Sequence, residues 1–353
     1  MAAGGGGDVL AALLVHHSLG RRTAPVVMSY SWDRYVMDPV PGPRSVGDYQ
    51  GLRPLTERSW RVTGESRVRW AATPTLPLLA RLTGAQVVLL DPHQGAVAMS
   101  QTMAEALREF AAREVTLVDV GGDVIAEGHE SQLMSSPLGD SLALAALAKV
   151  GVCVSVVVAG PGLDGELPAS RVAARCDEIA SDSLQVTPEA VQTCGGILRE
   201  HPSEATALLA AAALGIRAEV EIRDSGALVS VTDTSAAAYV IPYERALKVN
   251  RLAQRLVDTT SLAEAEQITT DVCGRCELTY ERRKALSKGD ARVPTPSQLI
   301  QAVADYRQAA ILRGASHGTL RRLCEVVGLD RYRPAALRQL VGNAHPLLPI
   351  YSL

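Results

Sequence analysis

The sequence predicts an α/β fold: a doubly wound, mainly parallel sheet in a Rossmann-like three-layer arrangement, with a β-hairpin and a C-terminal helical extension. Two observations predict it. Apolar runs suited to buried strands alternate at least four times with helical segments, and each apolar run ends in a polar loop. Only 4% of the residues are aromatic, which favours a core of helices packed on an aliphatic sheet.

Composition limits the classes of protein that fit. The chain has 353 residues, and we place a ligand-binding or catalytic α/β domain at residues 1–243 and a mostly helical region at residues 244–353. A net charge of -3 argues against nucleic acid as the main partner. The dispersed cysteines, and the lack of a membrane-spanning run or a signal peptide pattern, favour a cytoplasmic protein. A homo-oligomer is compatible with these features.

A run of four glycines opens the chain and leads through Asp8 into a helix predicted over residues 9–19. A glycine loop at a helix start can bind an anion, because free backbone N–H groups and the helix dipole face it. The strand that usually precedes such a loop is missing from the pattern. The run is therefore either an anion-binding loop or a flexible tail, and its residues are Gly4, Gly5, Gly6 and Gly7.

Two strands with polar ends follow. A strand at residues 24–30 leads to Trp32 and Asp33, and the proline-rich segment after it ends at Arg44. These three residues either line a ligand site or belong to a surface connection. A second strand, at residues 86–91, ends in Asp91 and His93. Helices are predicted over residues 74–83 and 100–113.

The stretch at residues 115–130 has the highest concentration of candidate catalytic and metal-binding residues. A buried strand reaches Asp119, turns through Gly121 and Gly122 to Asp123, and continues to His129 and Glu130. Glycines let a backbone approach a ligand closely, and clustered acids can act as acid–base groups or metal ligands. The alternative is that Asp119 and Asp123 only accept backbone N–H groups in a tight turn.

The next strand–loop–helix unit repeats this pattern. A helix starts at Pro137 with Asp140 in its first turn, where the acid either caps the helix or faces a site. A strand at residues 152–159 then ends in a loop that holds Gly162, Asp164, Gly165 and Glu166. Because the carboxyl ends of parallel strands meet at one edge, we expect one pocket to hold Asp91, Asp119, Asp123 and Asp164.

The second half of the chain carries weaker signals. Residues 218–223 and 227–232 predict a β-hairpin, and residues 240–243 a short strand. Cys273 and Cys276 form a single CxxC pair, which is either incidental or part of a metal or redox site. Residues 320–340 are superficially similar to a helix-turn-helix, but a helical hairpin closing the core is commoner, and the acidic chain argues against DNA binding.

Several motifs in the first half together resemble one uncharacterised archaeal and actinobacterial family, a domain of unknown function. The motifs, in chain order, are GGGGDV at residues 4–9, DPVPGPR at 38–44, LLD at 89–91, VDVGGDV with GHE at 118–130, SPLGD at 136–140 and GPGLDGEL at 160–167. The resemblance implies an α/β fold and supplies no reaction.

These features favour an enzyme that acts on a small anionic substrate, a phosphorylated sugar or nucleotide, by hydrolysis or group transfer. The expected catalytic residues are Asp119, Asp123, His129, Glu130 and Asp164, and Mg²⁺ or Mn²⁺ is expected at Asp91, Asp119 and Asp123. The expected substrate-binding residues are Gly4–Gly7, Asp8, Trp32, Asp33, Arg44, Asp91, His93, Gly121, Gly122, Gly162, Gly165 and Glu166.

One alternative is a non-catalytic nucleotide- or metabolite-binding regulator with a helix-turn-helix-like C-terminus. An NAD-dependent oxidoreductase is disfavoured, because no GxGxxG motif follows a strand with an acid about 20 residues further on.

Overall fold

The computed structural model describes residues 1–21, 23–35, 37–70, 74–130, 137–223, 225–287, 294–329, 337–338, 340–341 and 345–353. The helices are α1 Asp8–Ser18, α2 Thr75–Thr83, α3 Gly95–Glu109, α4 Leu138–Ala146, α5 Ala169–Ile179, α6 Pro188–Thr193, α7 Gly195–Glu200, α8 Ala205–Ala213, α9 Tyr243–Val249, α10 Arg251–Leu256, α11 Leu262–Cys273, α12 Glu277–Ser287, α13 Pro296–Leu312 and α14 Leu320–Val326. The strands are β1 Val26–Tyr30, β2 Tyr49–Gln50, β3 Arg53–Pro54, β4 Trp60–Val62, β5 Arg67–Val68, β6 Gln86–Leu90, β7 Glu114–Val120, β8 Cys153–Ala159, β9 Asp182–Gln185, β10 Ala218–Ile222, β11 Ala227–Val231, β12 Ala237–Pro242, β13 His317–Thr319 and β14 Ile350–Ser352.

The strands form mixed sheets, so the protein is mixed α/β. The sheet orders are β1-β6-β4-β3, β7-β8-β12-β9, β11-β10-β13-β14 and β2-β5. β1 pairs with β6 in parallel and β7 with β8 in parallel, but β4 and β12 run antiparallel to their neighbours. The expected parallel pairing is therefore present in part, because β4 and β12 run antiparallel to the strands beside them.

The first three residues lie in the position of the strand that was expected before the glycines. The N–H of Ala2 donates to the carbonyl of Met28 at 3.1 Å, and the N–H of Ala3 donates to the carbonyl of Val118 at 2.9 Å. Ala2 also bridges Val118 in parallel. Residues 1–3 therefore lie between β1 and β7, and the glycines follow them into α1.

The central strands are covered on both faces. On β7, Val118 and Val120 pack into one apolar cluster, whereas Val115 and Leu117 pack into another, as the two-residue period of a strand requires. Helices α1 and α8 contribute to the first cluster, and α3 and α4 contribute to the second. This double cover explains why the strands read as continuous apolar runs.

The second half of the chain matches its predicted elements in part. The predicted hairpin forms from β10 and β11, in antiparallel register. Its turn residue Asp224 lies outside the described residues. The C-terminal region is not helical throughout, because β13 pairs in parallel with β10 and antiparallel with β14. The division at residue 243 stays a prediction. Among the described helices, none is both long and apolar enough to cross a bilayer.

Candidate functional site

A cavity of about 940 Å³, partly open to solvent, lies where residues 1–3, β1, β7 and β8 end. Its lining residues are Gly4–Asp8, Trp32, Asp33, Arg34, Met37, Asp119, Val120, Asp123, Asp140, Asp164, Glu166, His201, Pro202, Ser203, Glu204, Ala205, Arg223, Glu277 and Arg321.

The glycine turn forms one wall of the cavity at the start of α1. The N–H of Gly4 donates to Asp8 Oδ2 at 2.7 Å. The N–H groups of Gly5, Gly6 and Gly7 have no acceptor in the described part of the chain. A side chain at Gly7 would collide with Ser203. The turn thus needs glycine because its neighbours approach the backbone closely.

Two acids lie at the end of β7 and in the turn after it, and they differ in their hydrogen bonds. Asp119 Oδ2 accepts the N–H of Val124 at 3.1 Å, so this acid does stabilise the turn, as the alternative interpretation requires. Asp123 Oδ1 is buried and has no hydrogen-bond partner among the described residues. Turn stabilisation therefore does not account for Asp123, which lines the cavity.

Three carboxylates converge beside these acids. One oxygen each from Asp8, Asp119 and Asp140 lies within 4.8 Å of the other two. Asp140 comes from the first turn of α4, and its Oδ1 is buried without a hydrogen-bond partner among the described residues. The sequence left open whether Asp140 caps its helix or faces a site, and the structure places it in the cavity lining.

Burial and mutual repulsion raise the pKa values of these acids. Desolvation raises the pKa of Asp8, Asp119 and Asp140 well above the usual range, and the neighbouring carboxylates raise each pKa further. Burial and then Glu166 raise the pKa of Asp164 to about 7, although Arg223 opposes the shift. The cavity therefore concentrates acids whose negative charges are poorly compensated.

Three arginines line the cavity, and each is held by an acid. Arg223 donates to the carbonyl of Asp164 at 2.7 Å and pairs with Glu166. Arg321 on α14 pairs with Glu204 at 3.1 Å. Arg34 pairs with an acid on α12 in the same way. Since nine acids line the cavity beside these three arginines, its described lining is strongly acidic.

The far wall comes from α12, which lies later in the chain than all the other acids of the lining. Glu277 Oε1 accepts the N–H of Gly139 at 2.9 Å, and burial raises the pKa of Glu277 to about 8 against the opposing effect of Arg34. One turn later, Glu281 accepts hydrogen bonds from Trp32 and Gly42. The sequence analysis missed both acids, because no local signal separates them from the solvated charges of a helix.

Asp33 and His201 are connected through Thr75. The Thr75 hydroxyl donates to Asp33 Oδ1, and Thr75 Oγ1 lies 2.7 Å from His201 Nε2. The N–H of Ser203 donates to His201 Nδ1 at 3.0 Å, so the proton of the neutral ring is assigned to Nε2. The result is a buried chain from Ser203 to Asp33 along one side of the cavity.

Asp91 and His93 do not line the cavity, although they were expected there. Asp91 Oδ2 accepts the N–H of Val46 at 2.8 Å, and its Oδ1 accepts from His93. The reason is the sheet order: β6 lies beyond β1, so Asp91 is about two strand spacings, or roughly 10 Å, from residues 1–3. The shared pocket expected for four acids therefore holds Asp119, Asp123 and Asp164, without Asp91.

Three other expected site residues also have structural partners away from the cavity. Glu130 accepts the N–H groups of Glu127 and Gly128 at 2.8 Å each and pairs with Arg175. His129 is exposed, 3.4 Å from Glu127. Arg44 forms a fully buried ion pair with Asp38. These side chains hold loops in place and do not face the cavity.

The other predicted glycines serve close packing. A side chain at Gly121 would collide with Asp164, and one at Gly122 would collide with Val172. Gly162 and Gly165 line a separate groove beside β11. Of the predicted binding set, Gly4–Gly7, Asp8, Trp32, Asp33 and Glu166 line the cavity itself.

Of the two C-terminal motifs, the CxxC pair lies outside the cavity, and the helix-turn-helix-like segment reaches it through Arg321. Cys273 and Cys276 are free thiols, and burial raises the pKa of each to about 11. Much of the second helix of the helix-turn-helix-like segment lies outside the described residues. In its first helix, Arg322 pairs with Glu221 at 3.2 Å, within the protein.

A family model matches residues 1–285, and its description is "Protein of unknown function (DUF1152)". This match confirms the resemblance drawn from the sequence motifs. No curated protein and no solved structure matches the chain significantly.

Proposed function

The chain belongs to the DUF1152 family of proteins of unknown function, and we propose that it is an enzyme acting on a small anionic substrate, a phosphorylated sugar or nucleotide, by hydrolysis or group transfer. One observation carries the proposal. In a single cavity, a glycine turn with free N–H groups lies beside buried acids, two of which have an oxygen without a hydrogen-bond partner in the described structure.

The glycine turn is the proposed anion-binding element. Gly5, Gly6 and Gly7 present backbone N–H groups at the N-terminus of α1, where the helix dipole favours negative charge. A bare phosphate would nevertheless meet the acidic lining. The anion therefore needs positive charge, from a divalent cation as well as from Arg34, Arg223 and Arg321.

Asp123 and Asp164 are the proposed acid–base pair. Both line the cavity, and Asp164 follows β8 as Asp123 follows β7. Asp164 has its pKa raised to about 7 by burial and by Glu166, so it is poised to exchange a proton near neutral pH. In this proposal, one carboxylate takes the proton of the attacking water or hydroxyl, and the other protonates the leaving oxygen.

The proposal includes a Rossmann-like, three-layer arrangement of the central strands. Residues 1–3 bond to β1 on one side and to β7 on the other, so the parallel elements run in the order β6, β1, residues 1–3, β7, β8. Along the chain, β1 and then β6 are added on one side of residues 1–3, and β7 and then β8 are added on the other side. Ligands of open α/β sheets bind at such a switch point, beyond the carboxyl ends of the strands.

A non-catalytic sensor is the second candidate, and the position of Arg321 favours it. Arg321 lines the cavity from α14, so a ligand that displaced its pairing with Glu204 would act directly on the C-terminal region. The two candidates differ in turnover. A sensor needs ligand affinity alone, whereas an enzyme needs intact acid–base groups.

The free thiols support a reducing, cytoplasmic location for either function. The cysteines form no disulfide, and Cys153 is exposed.

The test is a turnover screen of phosphorylated sugars and nucleotides, with products identified by mass spectrometry in the presence of Mg²⁺ or Mn²⁺. We expect Asp123→Asn and Asp164→Asn to bind the substrate with nearly unchanged affinity but to lose turnover. Asp177→Asn, which removes an exposed acid from α5, is the matched control and should retain full activity. Absence of turnover for every compound, combined with salt-dependent DNA shifts in gels, would favour the sensor.

A further inference from the structure

The point where Asp8, Asp119 and Asp140 converge has the dimensions of a cation site. Their three nearest oxygens lie within 4.8 Å of one another. Two oxygens on opposite sides of one Mg²⁺ ion, each about 2.1 Å from it, are about 4.2 Å apart, so the three oxygens would need to close by only a few tenths of an ångström. A single ion can therefore contact all three carboxylates with little movement.

The second observation is the unpartnered oxygen of Asp140. This residue is only 9% exposed, and its Oδ1 has no hydrogen-bond partner in the described part of the chain. A buried carboxylate oxygen without a partner is rare, because it loses the hydration that water would supply. No described residue supplies the missing partner.

The geometry around Gly4 shows where that partner belongs. A methyl group built on Gly4 would lie 2.9 Å from Asp8 Oδ2 and 3.1 Å from Asp140 Oδ1. Both carboxylates thus point to the same small space beside the glycine turn. Among the described residues, no lysine, arginine or histidine forms an ion pair with Asp8, Asp119 or Asp140.

We infer that Asp8, Asp119 and Asp140 bind a divalent cation of the Mg²⁺ and Mn²⁺ class. Three carboxylates form an all-oxygen ligand set, which suits these hard cations, whereas structural zinc sites draw on cysteine and histidine. This set replaces the predicted one, which included Asp91. The inference rests on the proposed function only in that both use the same cavity, where the cation would lie between the acids and an anionic substrate.

The test measures Mn²⁺ binding to the full-length chain after dialysis against EDTA. The electron paramagnetic resonance signal of free Mn²⁺ reports binding, and Mg²⁺ is the competitor. We expect one Mn²⁺ per chain. Asp140→Asn should weaken the affinity at least about tenfold, the lower end of what losing even an outer-shell partner costs. Asp177→Asn, on exposed α5, should bind as the wild type does.

A second variant keeps the test decisive if Asp140→Asn misfolds. Gly4→Ala retains all three carboxylates but places a methyl group at the convergence point, so it should also weaken Mn²⁺ binding. The thermal unfolding midpoint gives an independent readout, because Mn²⁺ should raise it in the wild type and leave it nearly unchanged in both variants.

The outcomes separate this inference from the proposed function. If the wild type binds neither Mn²⁺ nor Mg²⁺, or if both variants bind Mn²⁺ as tightly as the wild type, the cation site is wrong. Substrate turnover in EDTA by such a protein would leave the proposed function standing. Stoichiometric Mn²⁺ binding that both variants weaken would support the site, even if no phosphorylated compound is turned over.

Discussion

Glu281 on α12 accepts a hydrogen bond from the indole Nε1 of Trp32 at 3.0 Å, across 249 residues of chain. The same carboxylate accepts the N–H of Gly42 at 3.0 Å and pairs with Arg34. One side chain thus fixes α12 against the loop that follows β1. Because Trp32 and Arg34 line the cavity, Glu281 positions this wall without lining the cavity itself.

Glu281→Ala should destabilise the protein and loosen this wall. The indole and the Gly42 amide would lose their acceptor, and an unsatisfied buried donor costs about 1–3 kcal/mol. Urea unfolding followed by tryptophan fluorescence measures the change. Glu178→Ala, which removes an exposed glutamate from the last turn of α5, is the control and should stay within about 0.5 kcal/mol of the wild type. Equal effects of the two substitutions would contradict the positioning role of Glu281.

Gly121→Ala should destabilise the protein by more than the strain of a side chain at positive φ would alone. Gly121 has φ 120°, and an added methyl group would collide with Asp164. Gly215 provides the comparison, since it has φ 83° but nothing within 4 Å of an added methyl group. We expect Gly215→Ala to cost about 1–2 kcal/mol from strain, and Gly121→Ala about 1–3 kcal/mol more from the collision. Denaturant midpoints that agree for the two variants would show that Asp164 can move aside.

Arg44→Met should be strongly destabilising. Arg44 and Asp38 are each 3% exposed and are joined by a bidentate pair, so the substitution leaves a buried, unpaired carboxylate. Breaking such a pair costs about 3–5 kcal/mol. Arg21→Met breaks the exposed pair with Glu114 and should cost at most about 1 kcal/mol. A loss for Arg44→Met no larger than that for Arg21→Met, measured by urea unfolding, would rule out a structural role for the pair.

The chain through Thr75 gives a pH dependence with two opposing parts. Burial lowers the pKa of His201 from 6.5 to about 4, so the unfolded state binds the proton first and stability falls as pH drops through this range. Burial raises the pKa of Asp33 from 3.8 to about 6, so here the folded state binds the proton first and stability rises as pH drops. Between about pH 6 and pH 4 the two effects nearly cancel.

Substituting one of these two titrating residues should reveal the pH dependence that the other contributes. From pH 6.5 to pH 4, His201→Gln should gain up to about 3 kcal/mol of unfolding free energy relative to the wild type, and Asp33→Asn should lose a similar amount. Denaturant unfolding at a series of pH values measures both differences. If the two variants shift in the same direction, the opposed titration of His201 and Asp33 is incorrect.

Much of the α/β pattern followed from the sequence, because the strands are covered on both faces and read as apolar runs. The turn glycines and the acids at Asp119, Asp123 and Asp164 were recognisable for the same reason: each lies at the end of such a run or in the loop after it. Asp91 was expected in the cavity because it shows the same local pattern, but it follows β6, which lies farther from the cavity.

The remaining parts depend on contacts between distant segments. Residues 1–3 are too short to show a strand period, and their pairing is visible only through bonds to Met28 and Val118. Glu277, Arg223 and Arg321 reach the cavity through tertiary packing alone. A local pattern carries no information on such contacts, so the acidic character of the whole cavity was not predictable.

The residues that line the cavity run in sequence from Gly4 to Arg321, so nearly the whole chain contributes to its walls. During synthesis from the N-terminus, the glycine turn and the acids after β7 are made long before α12 and α14. The acids are therefore exposed to water and to cellular cations until α12 and α14 have been synthesised and have packed against them. Ligand binding by a nascent chain would therefore report that folding is complete, and not that it has begun.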